Sequence, residues 1–154
     1  PAGALSEAGC GVLMIRLRTF REAKTRLPLK KINDLFAVIA EEDSRPGWQG
    51  LVNLVFTDDR AIRRLNRVHR QKDKPTDVLS FLVDSPDSTE AVFGEIYIAC
   101  PTARRQALAY GGTLVEEYLR LFCHGMLHLF GYDHLKKPDA AIMQAKEQTY
   151  LGRV

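Results

Sequence analysis

The amino-acid sequence predicts a single α+β domain, in which one small mixed β-sheet of about four strands packs against about five helices. Its 154 residues are the length of one ordinary domain, and no repeat, low-complexity segment or long linker divides them. Strand and helix patterns follow in the order βαβαββααα, with the helices gathered late in the chain. Residues 14–154 are expected to form the domain. Residues 1–13 are rich in small residues without a clear pattern, and we interpret them as a tag remnant or a disordered extension.

The first part of the pattern alternates strands with helices. Alternating apolar and basic residues at 14–20 predict an edge strand with one solvated face. Apolar residues at helical spacing predict a helix over 28–42, and β-formers at 51–56 predict a second strand. Thr57 is the expected N-cap of a helix that runs to about residue 69.

The middle of the chain predicts a hairpin followed by a short helix. Strands are expected at 78–83 and 92–99, and the turn at 85–90 is short enough to favour antiparallel pairing. A proline at residue 101 then opens a helix that ends before two consecutive glycines, at 111–112.

The last part of the pattern is helical. Thr113 and Glu116 form a capping-box signature, which predicts the start of a helix that runs to about Phe130. Gly131 is the expected stop, and a final helix is predicted over 138–151.

The capped helix and the segment after it carry a candidate metal site. His124 and His128 are four residues apart, so their rings lie one turn apart on one helix face. If the helix ends at Gly131, the chain can turn back there and bring the imidazole of His134 close to those of His124 and His128. Three neutral imidazoles with no obvious fourth ligand are typical of a catalytic zinc site rather than a closed structural one. Cys123 points about 100° away from His124 on a helix and is a poor fourth ligand.

The same spacing occurs in metzincin proteases, but the general base of those enzymes is absent. The residue after their first histidine is a glutamate, and here that position is Gly125. Glu95 or Asp77 could substitute for it, so a peptidase stays a discounted alternative. Asp133 could reach the metal, orient a ligand, or simply cap its own loop.

A basic cluster covers the helix predicted at 57–69 and the loop after it. Ala61, Ile62, Leu65 and Val68 form the expected buried stripe. The cluster on the open side is Arg60, Arg63, Arg64, Arg67, Arg70, Lys72 and Lys74. No acidic residue lies between Arg60 and Lys72, and arginine suits forked phosphate contacts. A solvated helix face is the usual explanation of such a run. Beside an open metal site, a phosphate-rich partner is favoured. His69 is expected to be a surface or packing residue.

Two long segments resemble one known family. "HGMLHLFGYDH" (124–134) matches the fixed positions of a signature of the YbeY endoribonucleases, bacterial rRNA maturation factors. "LNRVHRQKDKPTDVLSF" (65–81) matches a second family segment, and "GEIYI" (94–98) resembles a third. The departures are Glu95 for aspartate, Leu82 for proline, and His69 for an aromatic residue.

The resemblance implies one Zn²⁺ per chain on His124, His128 and His134, with Arg70 as the functional arginine near it. It also implies single-strand-specific RNA cleavage, maturation of the small-subunit rRNA 3′ end and a role in ribosome quality control. The implied partners are rRNA, the small ribosomal subunit and ribosome-associated proteins; no DNA partner is expected. A structural tether to a loop carbonyl or to Asp73 is the alternative role of Arg70. The alternative functions are a metallopeptidase and a non-catalytic, metal-stabilised assembly factor.

Composition places this chain in a reducing compartment. Its three cysteines are scattered without a framework spacing, which predicts a reduced, cytoplasmic protein. No stretch approaches the roughly 18–20 uninterrupted apolar residues of a membrane span, so no membrane partner is expected. The net charge of +3 is modest, and its distribution on the basic helix is more informative.

Overall fold

The computed structural model describes residues 3–9, 14–83 and 91–154. Within these residues it confirms an α+β domain with five helices and one mixed sheet, which has five strands rather than about four. The strands are β1 (Ser6–Gly9), β2 (Met14–Arg21), β3 (Gln49–Thr57), β4 (Val78–Leu82) and β5 (Val92–Ala99). The helices are α1 (Leu29–Asp43), α2 (Asp59–Arg70), α3 (Cys100–Tyr110), α4 (Leu114–Leu129) and α5 (Lys137–Leu151). The turn expected at 85–90 lies outside the described residues.

The sheet has the order β1-β2-β3-β5-β4. Its three inner strands are parallel, whereas β1 and β4 run antiparallel at the two edges, and β4 and β5 form the expected antiparallel pair. The prediction that 14–20 is an edge strand is wrong, because β1 pairs with β2 and Arg16 Nη1 lies 2.5 Å from Glu7 Oε1. Residues 6–9 of the segment interpreted as an extension are therefore a strand, while the origin of that segment as a tag stays a prediction.

Helix α4 is the central element of the core. It contacts β4 and β5 as well as α1, α3 and α5. Tyr118, Phe122 and Met126 on this helix are fully buried against the sheet and the neighbouring helices. The predicted capping box is present, since Thr113 Oγ1 accepts from the Glu116 amide at 3.1 Å and Glu116 Oε2 accepts from the Thr113 amide at 2.7 Å. The start of α4, and with it the position of both helical histidines, is thereby fixed.

A glycine lets α4 approach the sheet closely. A Cβ atom at Gly125 would lie 2.8 Å from Ile96 Cγ2 and 3.0 Å from Ser80 Oγ. The Ser80 hydroxyl donates to the Gly125 carbonyl at 3.2 Å. This contact holds the neighbouring His124 against the side of the sheet where β4 forms the edge.

Helix α2 differs from expectation at both ends. Asp58, not Thr57, is its N-cap and accepts from the Ala61 amide at 2.8 Å, because Thr57 is still buried at the end of β3. The prediction that Val68 is buried is also wrong, since it is 63% exposed. Asn66 is buried instead, and its Nδ2 donates to the Lys74 carbonyl at 2.9 Å, which anchors the loop that follows the helix.

Among the helices that the structure describes, none combines the length and the apolar character needed to cross a lipid bilayer.

Candidate metal centre

The three histidines converge on one point. His124 and His128 project from α4, and His134 comes from the loop that follows the turn at Gly131, whose φ is +95°. One ring nitrogen from each histidine lies within 4.8 Å of the others, and His124 Nε2 is 3.0 Å from His128 Nε2. The convergence that the spacing predicted is therefore observed, and the three nitrogens could hold one metal ion.

Two of the histidine rings are oriented by contacts at their Nδ1 atoms. His124 Nδ1 lies 2.6 Å from Glu147 Oε1, and His128 Nδ1 lies 3.0 Å from the Tyr132 carbonyl oxygen. A carboxylate and a carbonyl oxygen accept hydrogen bonds, so we assign a proton to each Nδ1 atom, which leaves each Nε2 atom available as a metal ligand. Burial, and then the neighbouring His124 and His134, lower the pKa of His128, which favours the neutral ring. Two Nε2 atoms this close together fit a divalent ion between them.

The cluster opens into a cleft of about 730 Å³. All three histidines line it; His124 and His128 are partly buried, whereas His134 is exposed. Arg70 and Lys72 line the same cleft. The arrangement leaves room for a substrate beside the three histidines, which distinguishes it from a closed structural site.

Arg70 reaches this cleft from the end of α2. Its Nη2 donates to the Ser80 carbonyl at 3.4 Å, a long hydrogen bond that leaves the guanidinium exposed. Asp73 is paired with a different arginine, since Arg63 Nε and Nη2 lie 2.9 and 3.3 Å from its two oxygens. Among the described residues, Arg70 therefore contacts a carbonyl of strand β4 rather than the loop carbonyl or the Asp73 carboxylate considered as its tether. A guanidinium near three converging imidazoles could bind a phosphate oxygen.

The carboxylate that contacts His124 is that of Glu147, and not that of Asp133, which is nearer to the histidines in sequence. Asp133 Oδ1 accepts from the amides of His134 and Leu135 at 2.6 and 3.2 Å, so Asp133 caps its own loop. Glu147 lies on α5 and was not among the sequence candidates. No local spacing links it to His124, and only the packing of α5 against α4 reveals the contact.

The alternative general bases are poorly placed for peptide hydrolysis. Asp77 lines the cleft, but its Oδ1 accepts from the Val78 amide at 2.8 Å and its Oδ2 from Gln106 Nε2 at 3.2 Å. Glu95 lies in a separate pocket and accepts from the Tyr97 hydroxyl at 3.2 Å. The position of Gly125 faces the sheet, so a larger side chain there would meet the sheet before it reached the cleft.

The arginines of α2 form an exposed basic surface that begins at the cleft. Its members, here called the arginine face, are Arg60, Arg63, Arg64, Arg67 and Arg70, all exposed. Arg63 is partly neutralised by Asp73, although no acid lies between Arg60 and Lys72 in the sequence. Lys72 and Lys74 are exposed on the following loop. The His69 ring packs on Phe81 with centroids 4.6 Å apart, which confirms it as a surface and packing residue.

Comparisons with known proteins point to one family. The family model for endoribonuclease YbeY matches residues 18–154. A relative from Heliobacterium modesticaldum named endoribonuclease YbeY is 38% identical over 148 residues, which cover 85% of this chain and 89% of the relative. A relative of the same name from Myxococcus xanthus is 50% identical over 104 residues, which cover 66% of this chain and 35% of that relative. The solution structure of a Thermotoga maritima protein superposes with a TM-score of 0.59 at 30% identity, covering 88% of this chain and 86% of that one.

Proposed function

The chain belongs to the endoribonuclease YbeY family, and on that premise we propose that it is a zinc-dependent endoribonuclease specific for single-stranded RNA. Its proposed task is maturation of the small-subunit rRNA 3′ end in the cytoplasm, together with a role in ribosome quality control. The proposed partners are rRNA, the small ribosomal subunit and ribosome-associated proteins. The observation that carries the proposal is the three-histidine cluster, which opens into a cleft shared with Arg70.

The metal proposed for the site is one Zn²⁺ held by His124, His128 and His134. Three neutral imidazoles would leave its charge uncompensated, and the bound ion would act as a Lewis acid towards a phosphate oxygen of the substrate. The same donor set also suits nickel, copper or iron, so metal identity is part of what is proposed.

The chain's own residues would supply binding and charge stabilisation. The Arg70 guanidinium can make a forked contact with the phosphate at the scissile bond and stabilise negative charge as it develops. Lys72, at the rim of the same cleft, would bind a neighbouring phosphate. The other four members of the arginine face, with Lys74, would bind phosphates further along the strand, and part of the affinity would come from counterion release.

The structure weighs against the peptidase alternative more than the sequence did. A glutamate at Gly125 would have to enter the contact between α4 and Ile96. Both oxygens of Asp77 are already engaged in hydrogen bonds. The non-catalytic assembly factor is disfavoured by the open side of the histidine cluster, because a structural zinc site is normally closed by four protein ligands.

Cleavage of a small-subunit rRNA precursor fragment tests the proposal. Zinc-loaded protein should cleave the single-stranded region, and His128→Ala prepared in parallel should not. Equal cleavage by both proteins would indicate a contaminating nuclease. No cleavage by either would favour the assembly factor, which predicts tight, salt-sensitive RNA binding without turnover.

Arg70→Ala separates the catalytic from the tethering role of this arginine. We expect loss of cleavage with zinc content and thermal stability unchanged, because the single hydrogen bond to Ser80 is long. Arg153→Ala is a matched control, since Arg153 is paired with Glu42 on the surface outside the cleft. Loss of zinc in Arg70→Ala would show that the residue is structural.

A further inference from the structure

We propose that Glu147 is a positioning residue of the metal centre, holding His124 in the tautomer and orientation that direct its Nε2 at the ion. This inference rests on the proposed metal site and deepens it, because it assigns a role to a residue outside the histidine motif. Its basis is the contact of 2.6 Å between Glu147 Oε1 and His124 Nδ1.

The contact is sheltered, which distinguishes it from a surface ion pair. The side chain of Glu147 is 17% exposed and that of His124 is 24% exposed. Hydrogen bonds between a carboxylate and an imidazole nitrogen are strong when water is partly excluded. A carboxylate behind the ring fixes the proton on Nδ1 and makes Nε2 a better electron-pair donor.

The helix that carries Glu147 is fixed on both sides of this residue. Met143, one turn earlier, and Tyr150, about one turn later, are both buried. Lys146, the preceding residue, donates to Asp43 Oδ1 at 2.9 Å. These contacts set the rotation and height of α5 against α4, so the carboxylate is held behind His124 rather than free to point elsewhere.

Asp43 connects the two orienting contacts to one another. It accepts from the Tyr132 hydroxyl at 2.7 Å, and the carbonyl of Tyr132 is the group behind His128. Lys146, which also binds Asp43, is the neighbour of Glu147. Of these two orienting groups only Glu147 acts through its side chain, so a point substitution can remove it without altering the backbone.

The competing explanation is that Glu147 only stabilises the fold by pairing α5 with α4. That role predicts lower stability of the metal-free protein with unchanged affinity of the folded site for metal. The positioning role predicts weaker metal binding by a protein that remains folded. Direct coordination by Glu147 is a third arrangement, and it would change the ligand set of the ion.

The test measures metal binding without any RNA. Zn²⁺ affinity is determined by competition with a chromophoric chelator, and Co²⁺ titrations report the ligand field in the parent, Glu147→Gln and Glu147→Ala. We expect Glu147→Ala to weaken Zn²⁺ binding about 10–100-fold. Glu147→Gln should weaken it less, because its amide oxygen still accepts a hydrogen bond. Gln148→Ala, an exposed neighbour on the same helix, should bind within twofold of the parent.

Each outcome bears on the inference separately from the proposed function. Parent-like affinity in Glu147→Ala would overturn it, as would an equal loss in Gln148→Ala. Unfolding of metal-free Glu147→Gln at the assay temperature would assign the residue to the fold and overturn it too. A Co²⁺ spectrum with an altered coordination number would replace positioning by ligation. If the parent bound no metal, both proposals would fail, whereas a parent that binds zinc without cleaving RNA would leave this inference standing.

Discussion

Replacement of Gly125 by alanine has two opposing effects on the free energy of unfolding. Alanine in a helix interior is favoured over glycine by about 1 kcal/mol. The added methyl group, however, would lie 2.8 Å from Ile96 Cγ2, 3.0 Å from Ser80 Oγ and 3.3 Å from Ile96 Cδ1. Overpacking of this kind costs about 1–3 kcal/mol.

The overpacking cost should exceed the helix gain here. Ile96 is completely buried on an inner strand, and its β-branched side chain has few alternative rotamers. The cost therefore lies towards the upper end of the range, and we expect a net destabilisation of about 1–2 kcal/mol. For a chain of this length that lowers the thermal midpoint by roughly 3–6 °C.

The assay is urea unfolding followed by circular dichroism, with chelator present so that metal binding does not contribute to stability. A double-mutant cycle with Ile96→Ala isolates the contact, and a coupling of at least about 0.5 kcal/mol is expected because the smaller side chain relieves the clash. Gly125→Ala with stability equal to or above that of the parent would refute the reasoning. It would show that α4 has room to move away from the sheet and that helix propensity dominates at this position.

Three further predictions concern stability. Asp43→Asn should lower the free energy of unfolding at neutral pH by about 2–4 kcal/mol, because it removes the carboxylate that pairs with Lys146 and leaves the Tyr150 hydroxyl as a neutral acceptor. Burial opposes ionisation of Asp43, but hydrogen bonds from two tyrosine hydroxyls and Lys146 outweigh it and hold its pKa below 3.8. Its contribution is therefore complete above the unfolded pKa and lost as pH falls through the folded pKa, so acid titration should narrow the gap between parent and variant. Thr113→Ala should cost about 1 kcal/mol by loss of the capping box, whereas Thr113→Ser should be nearly neutral in the same denaturation assay. Zinc at about 100 times its dissociation constant should stabilise the parent by about 2.7 kcal/mol, and a thermal shift of similar size in His128→Ala would place the metal elsewhere.

The histidine cluster could be predicted because its geometry is local. The spacing of His124 and His128 is fixed by the helix itself, and Gly131 with its positive φ allows the return of His134. The start of the helix was equally predictable, since the capping box lies within four residues. The alternative tether of Arg70 to Asp73 is not formed, because Arg63 pairs with Asp73, and the choice between neighbouring arginines depends on how the loop folds.

The remaining features depend on contacts between distant segments. Glu147 has no sequence relation to His124 that would identify it, and only the docking of α5 brings them together. Strand β1 could not be predicted because its residues are small or polar and show no alternation of apolar and polar positions. Only its pairing with β2 makes it a strand. Val68 follows the apolar periodicity of α2, yet it is exposed, whereas Asn66 is buried and binds the loop that follows the helix.

Asp43 accepts hydrogen bonds from Tyr132, Lys146 and Tyr150, and this cluster has a consequence for the order in which the protein folds. Its hydrogen bonds join residues separated by 89, 103 and 107 positions, so they close some of the longest loops in the chain. Loop closure of this kind is entropically unfavourable until the intervening segments are ordered. We therefore expect the sheet and α4 to form first and the loop carrying His134 to become ordered late. If the proposed metal is acquired during folding, the rate of its binding would then be limited by the docking of α5.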